Sequence, residues 1–99
     1  MTPKINAIQR LIDLRKALNA CSDGAKALPE YANTLQNTIA FTACVEACDD
    51  AEFTPQHVAA FNRAVDDAYR LIGTLELSAA AYKLLHTVTA IAEHQHTIH

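Results

Sequence analysis

The residues of this chain that could ligate a metal ion lie at its C-terminus and in its middle. His94, His96 and His99 follow one another at short spacing, and imidazole nitrogens are common ligands of zinc and other transition metals. Cys44 and Cys48 are four residues apart, so a helix would place both thiols on one face. No Cys-x-x-Cys pair or other four-ligand zinc spacing accompanies them. Because this signal is weak, a metal- or small-ligand-binding helical protein that uses these histidines and cysteines is kept as an alternative to a protein-binding module. No cofactor is expected.

Acid–base chemistry would need groups such as His86 and Glu93, which lie about two turns apart on one side of a predicted helix. Tyr82 and Thr89 are near them in the sequence. No nucleophile motif is present, since the chain has neither a Gly-x-Ser-x-Gly turn nor a His-Glu-x-x-His pair. The two glycines are isolated and cannot form a phosphate-binding loop. The chain is therefore expected not to be an enzyme.

A charged side chain on an apolar helix face points to binding instead. Arg15 is predicted near the centre of the apolar arc of the first helix, where its charge must be paired or must face a partner. One interpretation is an internal ion pair with Glu46, Glu76 or Glu93. The other is an interface anchor, because arginine is enriched among the residues that dominate binding energy. The candidate partner-binding residues are Lys4, Arg15, Phe41 and Tyr69.

The most distinctive segment of the sequence is a run of fifteen uncharged residues, 31–45. Apolar and threonine side chains recur along it at helical spacing, which predicts a helix from Pro29 to about Cys48 that packs on several sides. A single chain must cover such a helix with three neighbours, and otherwise a second copy must cover it. The run therefore favours a homodimer.

Two Thr-Pro pairs, Thr2-Pro3 and Thr54-Pro55, predict helix starts, with threonine as the N-cap and proline at the first helical position. The first helix is expected to run from Pro3 to about Ala20. The third helix is expected to run from Pro55 to about Ile72, because Gly73-Thr74 is typical of a break.

A fourth helix is predicted from about Ser78 to about His94, with an apolar face directed inward. One long bent helix from Pro55 onward is the alternative, because a glycine costs only about 1 kcal/mol in a helix interior. The residues expected to point inward on the fourth helix are Leu84, Leu85, Val88, Ile91 and Ala92.

The composition limits the fold to a single helical domain, residues 1–99. Nineteen residues are alanine, which has the highest helix propensity, and strand-type alternation is absent from the sequence. The fold class predicted is all-α, with two helical hairpins forming an antiparallel four-helix bundle-like arrangement that dimerises.

The charge pattern and the cysteine count exclude several functions. A net charge of −3 gives no basic surface for nucleic acid, and a helix-turn-helix reader would lack Arg or Lys on its second helix. No apolar stretch approaches the 18 residues of a membrane span, and no signal peptide is evident. The odd number of cysteines, three, favours a reducing cytoplasm.

The function predicted is a small non-catalytic protein–protein interaction module that binds another protein through a helical surface. Adaptors, inhibitors and accessory regulators of this size, including those of phages and other mobile elements, fit such a description. A self-assembling structural module is a further alternative.

Overall fold

The computed structural model describes the backbone of residues 2–97 and the side chains of residues 2–93. Within residues 2–97 every regular element is helical, so the all-α prediction is confirmed. Three long α-helices account for most of the chain, and short turns join them. The elements in order are α1 (Pro3–Asn19), α2 (Asp23–Lys26), α3 (Pro29–Ala47), a 3-10 turn (Asp50–Glu52) and α4 (Pro55–Thr97).

Both Thr-Pro helix starts are confirmed. The Oγ1 atom of Thr2 accepts a hydrogen bond of 3.3 Å from the backbone N–H of Ile5, which caps α1. The Oγ1 atom of Thr54 accepts one of 3.3 Å from the backbone N–H of His57, at the start of α4. Each threonine thus satisfies one of the backbone donors that a helix N-terminus leaves unpaired.

The hairpin of α1 and α3 is fastened at both ends by side chains that reach helix carbonyls. Lys4, near the start of α1, donates from Nζ to the carbonyls of Glu46 (3.0 Å) and Cys48 (2.7 Å) at the end of α3. The Tyr31 hydroxyl, at the start of α3, donates to the carbonyl of Leu18 at 3.0 Å. Because each bond joins the start of one helix to the end of the other, α1 and α3 lie antiparallel.

The core is centred on α1, which packs against both α3 and α4. Arg10 adds a polar tie on the same side, because its guanidinium donates to Asn62 at 2.7 Å and to Asp66 at 2.8 Å. Between α3 and α4 the packing is sparser. The buried apolar residues are Ala7, Leu11, Leu14, Leu18, Cys21, Ala25, Tyr31, Val45, Phe61, Val65 and Leu75.

The helix α3, whose residues 31–45 carry no charge, is buried on one face only. Thr34 and Thr38 lie in that face, and each hydroxyl donates to the carbonyl four residues earlier, so neither is left unpaired. Ile39 and Phe41 on its other faces are more than two-fifths exposed. Of the two interpretations, cover of α3 on several sides by a single chain is not what the structure shows, because α1 covers one side and no further helix within residues 2–97 returns to cover the next.

The expected break at Gly73-Thr74 is wrong, because α4 is one continuous helix of 43 residues, and the alternative of one long helix from Pro55 onward is confirmed in that respect. Contacts on the C-terminal side of Gly73 tie α4 to the segment around α2. The side chain of Glu76 accepts a hydrogen bond of 2.7 Å from the backbone N–H of Ser22. Three residues further on, Ala79 packs so closely on Gly24 that an added Cβ there would lie 3.2 Å from the Ala79 Cβ. We call these two contacts the α2–α4 clamp.

A straight α4 removes the second hairpin and the bundle-like arrangement from the single chain. Ser78, expected to cap a fourth helix, lies in the middle of α4. Beyond the clamp every residue from Ala80 to Glu93 is exposed. We call residues 80–97 the α4 extension. It gives the molecule its elongated shape, 73 × 18 × 18 Å. The residues wrongly expected to point inward are Leu84, Leu85, Val88, Ile91 and Ala92.

We predict that Gly73→Ala stabilises the folded chain. Gly73 lies in a helix interior, where alanine is favoured by about 1 kcal/mol. Among the described residues, no atom outside the local helix backbone lies within 4 Å of the position its Cβ would take. Urea unfolding should show a higher free energy of unfolding, by up to about 1 kcal/mol.

Gly24→Ala is the matched control, because its new Cβ would crowd Ala79. Its gain should be smaller than that of Gly73→Ala, or should turn into a loss. A destabilising Gly73→Ala would contradict a helix that continues unbent through this position.

Candidate binding surface

The most unusual surface of the molecule is the apolar side of the α4 extension. Leu84 and Leu85 are 66% and 62% exposed, and Tyr82 is 65% exposed. Val88 and Ile91 are also more than half exposed. Single exposed apolar side chains are ordinary in soluble proteins, but a contiguous set of them marks an interaction site.

The apolar side chains follow a regular spacing along α4. Leu77, Ala81, Leu84, Val88 and Ile91 are separated by alternating steps of four and three residues, so they form one stripe along the helix. We call these five residues the α4 seam. The stripe begins at Leu77, which is 74% exposed because it lies on the side of α4 away from the clamp. A 4-3 repeat is the spacing by which helices pair side by side.

The seam is not a membrane-spanning segment. Among the described residues, none of the helices contains a long enough apolar stretch to cross a bilayer. Lys83, His86 and Glu93 interrupt the extension on the side away from the seam. The helix is therefore amphipathic, with one apolar stripe and one polar face.

A second apolar surface is the groove between α3 and α4. Its volume is about 660 Å³, and its walls include Phe41 from α3 and Leu71 from α4, with Leu11 and Leu14 of α1 also lining it. The Phe41 ring is 43% exposed and packs against the buried Phe61, with a centroid distance of 5.6 Å. Phe41 is thus the predicted binding residue that the structure places in a concave apolar site.

The other predicted binding residues do not join Phe41. Lys4 is held by the carbonyls at the end of α3, and Tyr69 lies on α4 at 38% exposure. Arg15 is exposed rather than central in the apolar face of α1. Its expected internal ion pair is not formed within the described residues, where the ion pairs join Arg10 to Asp66 and Arg70 to Asp67.

The predicted metal ligands are not brought together by the side chains that the structure describes. Cys44 is exposed, Cys48 is half-buried, and both are free thiols. Within the described part of the chain, no group of three His, Cys, Asp or Glu residues could hold a metal ion. The side chains of His94 and His96, and the whole of His99, lie outside the described residues.

The α2–α4 clamp shifts the pKa values of two ionisable groups, Glu76 and Cys21. The hydrogen bond from the Ser22 backbone holds the pKa of the Glu76 carboxyl below its ordinary value. Close by, burial raises the pKa of the Cys21 thiol, and the negative charge of Glu76 raises it further. Glu76 is therefore ionised and Cys21 protonated at neutral pH, which suits a structural contact.

Sequence reasoning did not identify the α4 seam as a surface. The spacing was visible, but an apolar stripe is expected to face its own core, and the glycine at 73 suggested a return of the chain. The one sequence signal in favour of a continuous helix was the absence of any glycine or proline after Gly73.

We predict that Glu76→Gln lowers stability in a pH-dependent way. Because the pKa of Glu76 is lowered by folding, its carboxylate contributes stability that is fully present above the ordinary glutamate pKa of about 4.3. That stability is lost as the pH falls through the lowered pKa of the folded state. Urea unfolding should separate the variant from the native chain at neutral pH, and the difference should shrink in acid.

Glu52→Gln is the control, because it removes the same charge from an exposed residue of the 3-10 turn. Equal effects of the two substitutions at every pH would contradict the role given to the clamp.

Function has to be inferred from the residues and geometry of this chain. Comparison with family models, with curated proteins and with solved structures gave no match. The features that bear on function are the uncovered α4 seam, the groove beside Phe41 and the clamp that orients the extension.

Proposed function

We propose that this chain is a small non-catalytic protein that works by binding other protein chains through a helical surface. The observation that supports this most strongly is the α4 extension, in which fourteen consecutive residues, 80–93, are exposed and carry a regular apolar stripe. A free helix of this length is only marginally stable in water. Packing against another helix would stabilise it and would remove its apolar side chains from solvent.

The exposed apolar area favours a protein ligand over a small molecule. Side chains of the α4 seam lie along a convex helix, which offers a small ligand no enclosure, whereas small-molecule sites are concave. An amphipathic helix of another chain could contact the whole length of the stripe. Recognition of this kind depends on apolar anchors at helical spacing, as the seam provides.

The groove beside Phe41 supplies a second binding surface in this proposal. Its apolar walls and open shape suit an amphipathic helix, and Phe41 would be the central aromatic contact. Arg15 and Tyr69 remain candidate contacts on neighbouring exposed positions. Lys4 is a weaker candidate, because its ammonium group already binds the end of α3.

A homodimer is part of the proposal. One chain leaves both the outer faces of α3 and the α4 seam uncovered, and a four-helix arrangement would need helices from another chain. We also assign the protein to a reducing cytoplasm, in which its free thiols Cys21, Cys44 and Cys48 would persist.

Photo-cross-linking in the native cell tests the proposal. A photoreactive amino acid placed at Ala81, in the seam, should give discrete cross-linked protein adducts. The same amino acid at Ala90 is the matched control, because Ala90 is an equally exposed alanine on the opposite side of the extension. Mass spectrometry would identify the adducts, whether with copies of this chain or with another protein.

Adducts at Ala81 that are absent or much weaker at Ala90 would support binding through the seam. No adduct at Ala81, or equal labelling at both positions, would contradict it.

A further inference from the structure

We propose that the α4 seam binds the α4 seam of a second copy of this chain, with the two helices antiparallel. This inference rests on the proposed function, since it names the partner of the same surface. The juxtaposition that carries it is a heptad-spaced stripe of Leu77, Ala81, Leu84, Val88 and Ile91 on a helix that its own chain does not cover.

Within residues 2–97 the chain does not cover its own seam. α4 is one continuous helix through Thr97, and the α2–α4 clamp lies on the opposite side of that helix from the seam. No other element of the described residues packs on the seam, whose large side chains are more than half exposed. A second copy of the chain would supply the missing neighbour.

The charge pattern fits an identical copy as the partner. Seam positions carry no charge, and the positions that flank them carry none either: Ser78, Ala80, Leu85, Thr87 and Ala92. In paired helices these flanking positions normally hold the Glu and Lys that select a particular partner. Here two identical seams meet without like-charge repulsion, and a charged heterologous helix would find no complementary charge.

The residue types in the seam alternate in size. With Leu77, Leu84 and Ile91 assigned to the d positions, the a positions include Ala81 and the β-branched Val88. The alanine lets the two backbones approach closely at that level.

The residues before the seam decide the orientation. Arg63, Asp67 and Arg70 continue the same stripe before Leu77, all three are exposed, and Arg70 pairs with Asp67 at 3.3 Å. A parallel pair in register would bring these charged side chains toward the contact, where each would meet the same charge of the other copy and lose water. An antiparallel pair places Leu84 opposite Val88 of the second copy, and Ala81 opposite its Ile91, while the arginines lie beyond the overlap. We call the part of each chain before the α4 extension, residues 2–79, its body. The two bodies then lie at opposite ends of the dimer.

Analytical ultracentrifugation of the purified full chain tests the pairing. The native chain should show a monomer–dimer equilibrium at micromolar concentration. Leu84→Lys, which puts a charge into the seam, should abolish the dimer. Ala90→Lys adds the same charge to the opposite face and should leave the dimer intact. Because both positions are exposed in a single chain, neither lysine should disturb the fold of that chain. Circular dichroism should therefore show that each variant keeps a helical fold.

Small-angle scattering of the native dimer tests the orientation. An antiparallel overlap of residues 75–97 would give a maximum dimension of about 110 Å, given 73 Å for one chain and a rise of about 1.5 Å per helical residue. Side-by-side bodies in a parallel dimer would give about 75 Å, which would overturn the antiparallel arrangement.

Other outcomes would overturn either the self-pairing of the seam or the proposed binding of another protein. A native chain that stays monomeric at every concentration, or a Leu84→Lys dimer as stable as the native one, overturns the self-pairing. If the purified chain is monomeric but Ala81 cross-links to a different protein in cells, the self-pairing and the homodimer fail, and binding of another protein through the seam stands. If the purified chain is monomeric and Ala81 gives no adduct, both fail.

Discussion

The backbone N–H of Ser22 donates to the carboxylate of Glu76, and one turn further along α4 the side chain of Ala79 rests on Gly24. Together these contacts join the turn after α1 to the middle of the longest helix. Without them the glycine at position 73 would be the weakest point of α4, where a helix pays about 1 kcal/mol relative to alanine. With them α4 continues straight, and everything beyond Ala79 is directed away from the core.

The direction of α4 determines which surfaces the chain leaves open. Had the helix turned back after Gly73, its C-terminal half would have lain against the body, with α3 as one available neighbour. Because it does not, α3 keeps one buried face and an open groove beside Phe41, while the extension exposes the seam from Leu77 to Ile91. Both apolar surfaces therefore have one structural cause, and both are available to other protein chains.

The parts of the fold that sequence predicted correctly are those that local chemistry determines. Thr2 and Thr54 are each followed by proline. A threonine N-cap with proline at the first helical position depends only on residues within about one helical turn, so it can be recognised from the local sequence. The starts of α1 and α4 were accordingly confirmed, and α3 begins at the expected Pro29 without a side-chain cap. The course of α4 beyond Gly73 was not predictable in this way, because contacts with Ser22 and Gly24, about fifty residues earlier, decide it. Arg15 was misplaced for a related reason: three helices bury a narrower stripe of α1 than a closed bundle would, and Arg15 lies outside that stripe.

If two copies pair through the α4 seam, the α4 extension is uncovered in one chain and covered in the pair. Hydrogen–deuterium exchange as a function of protein concentration measures this directly, because an isolated helix opens far more readily than a packed one. We expect the backbone amides of residues 80–93 to exchange rapidly in dilute solution and to become protected as the concentration rises. The amides of α1 should stay protected throughout. Extension amides whose protection is the same at every concentration would show that the seam does not pair.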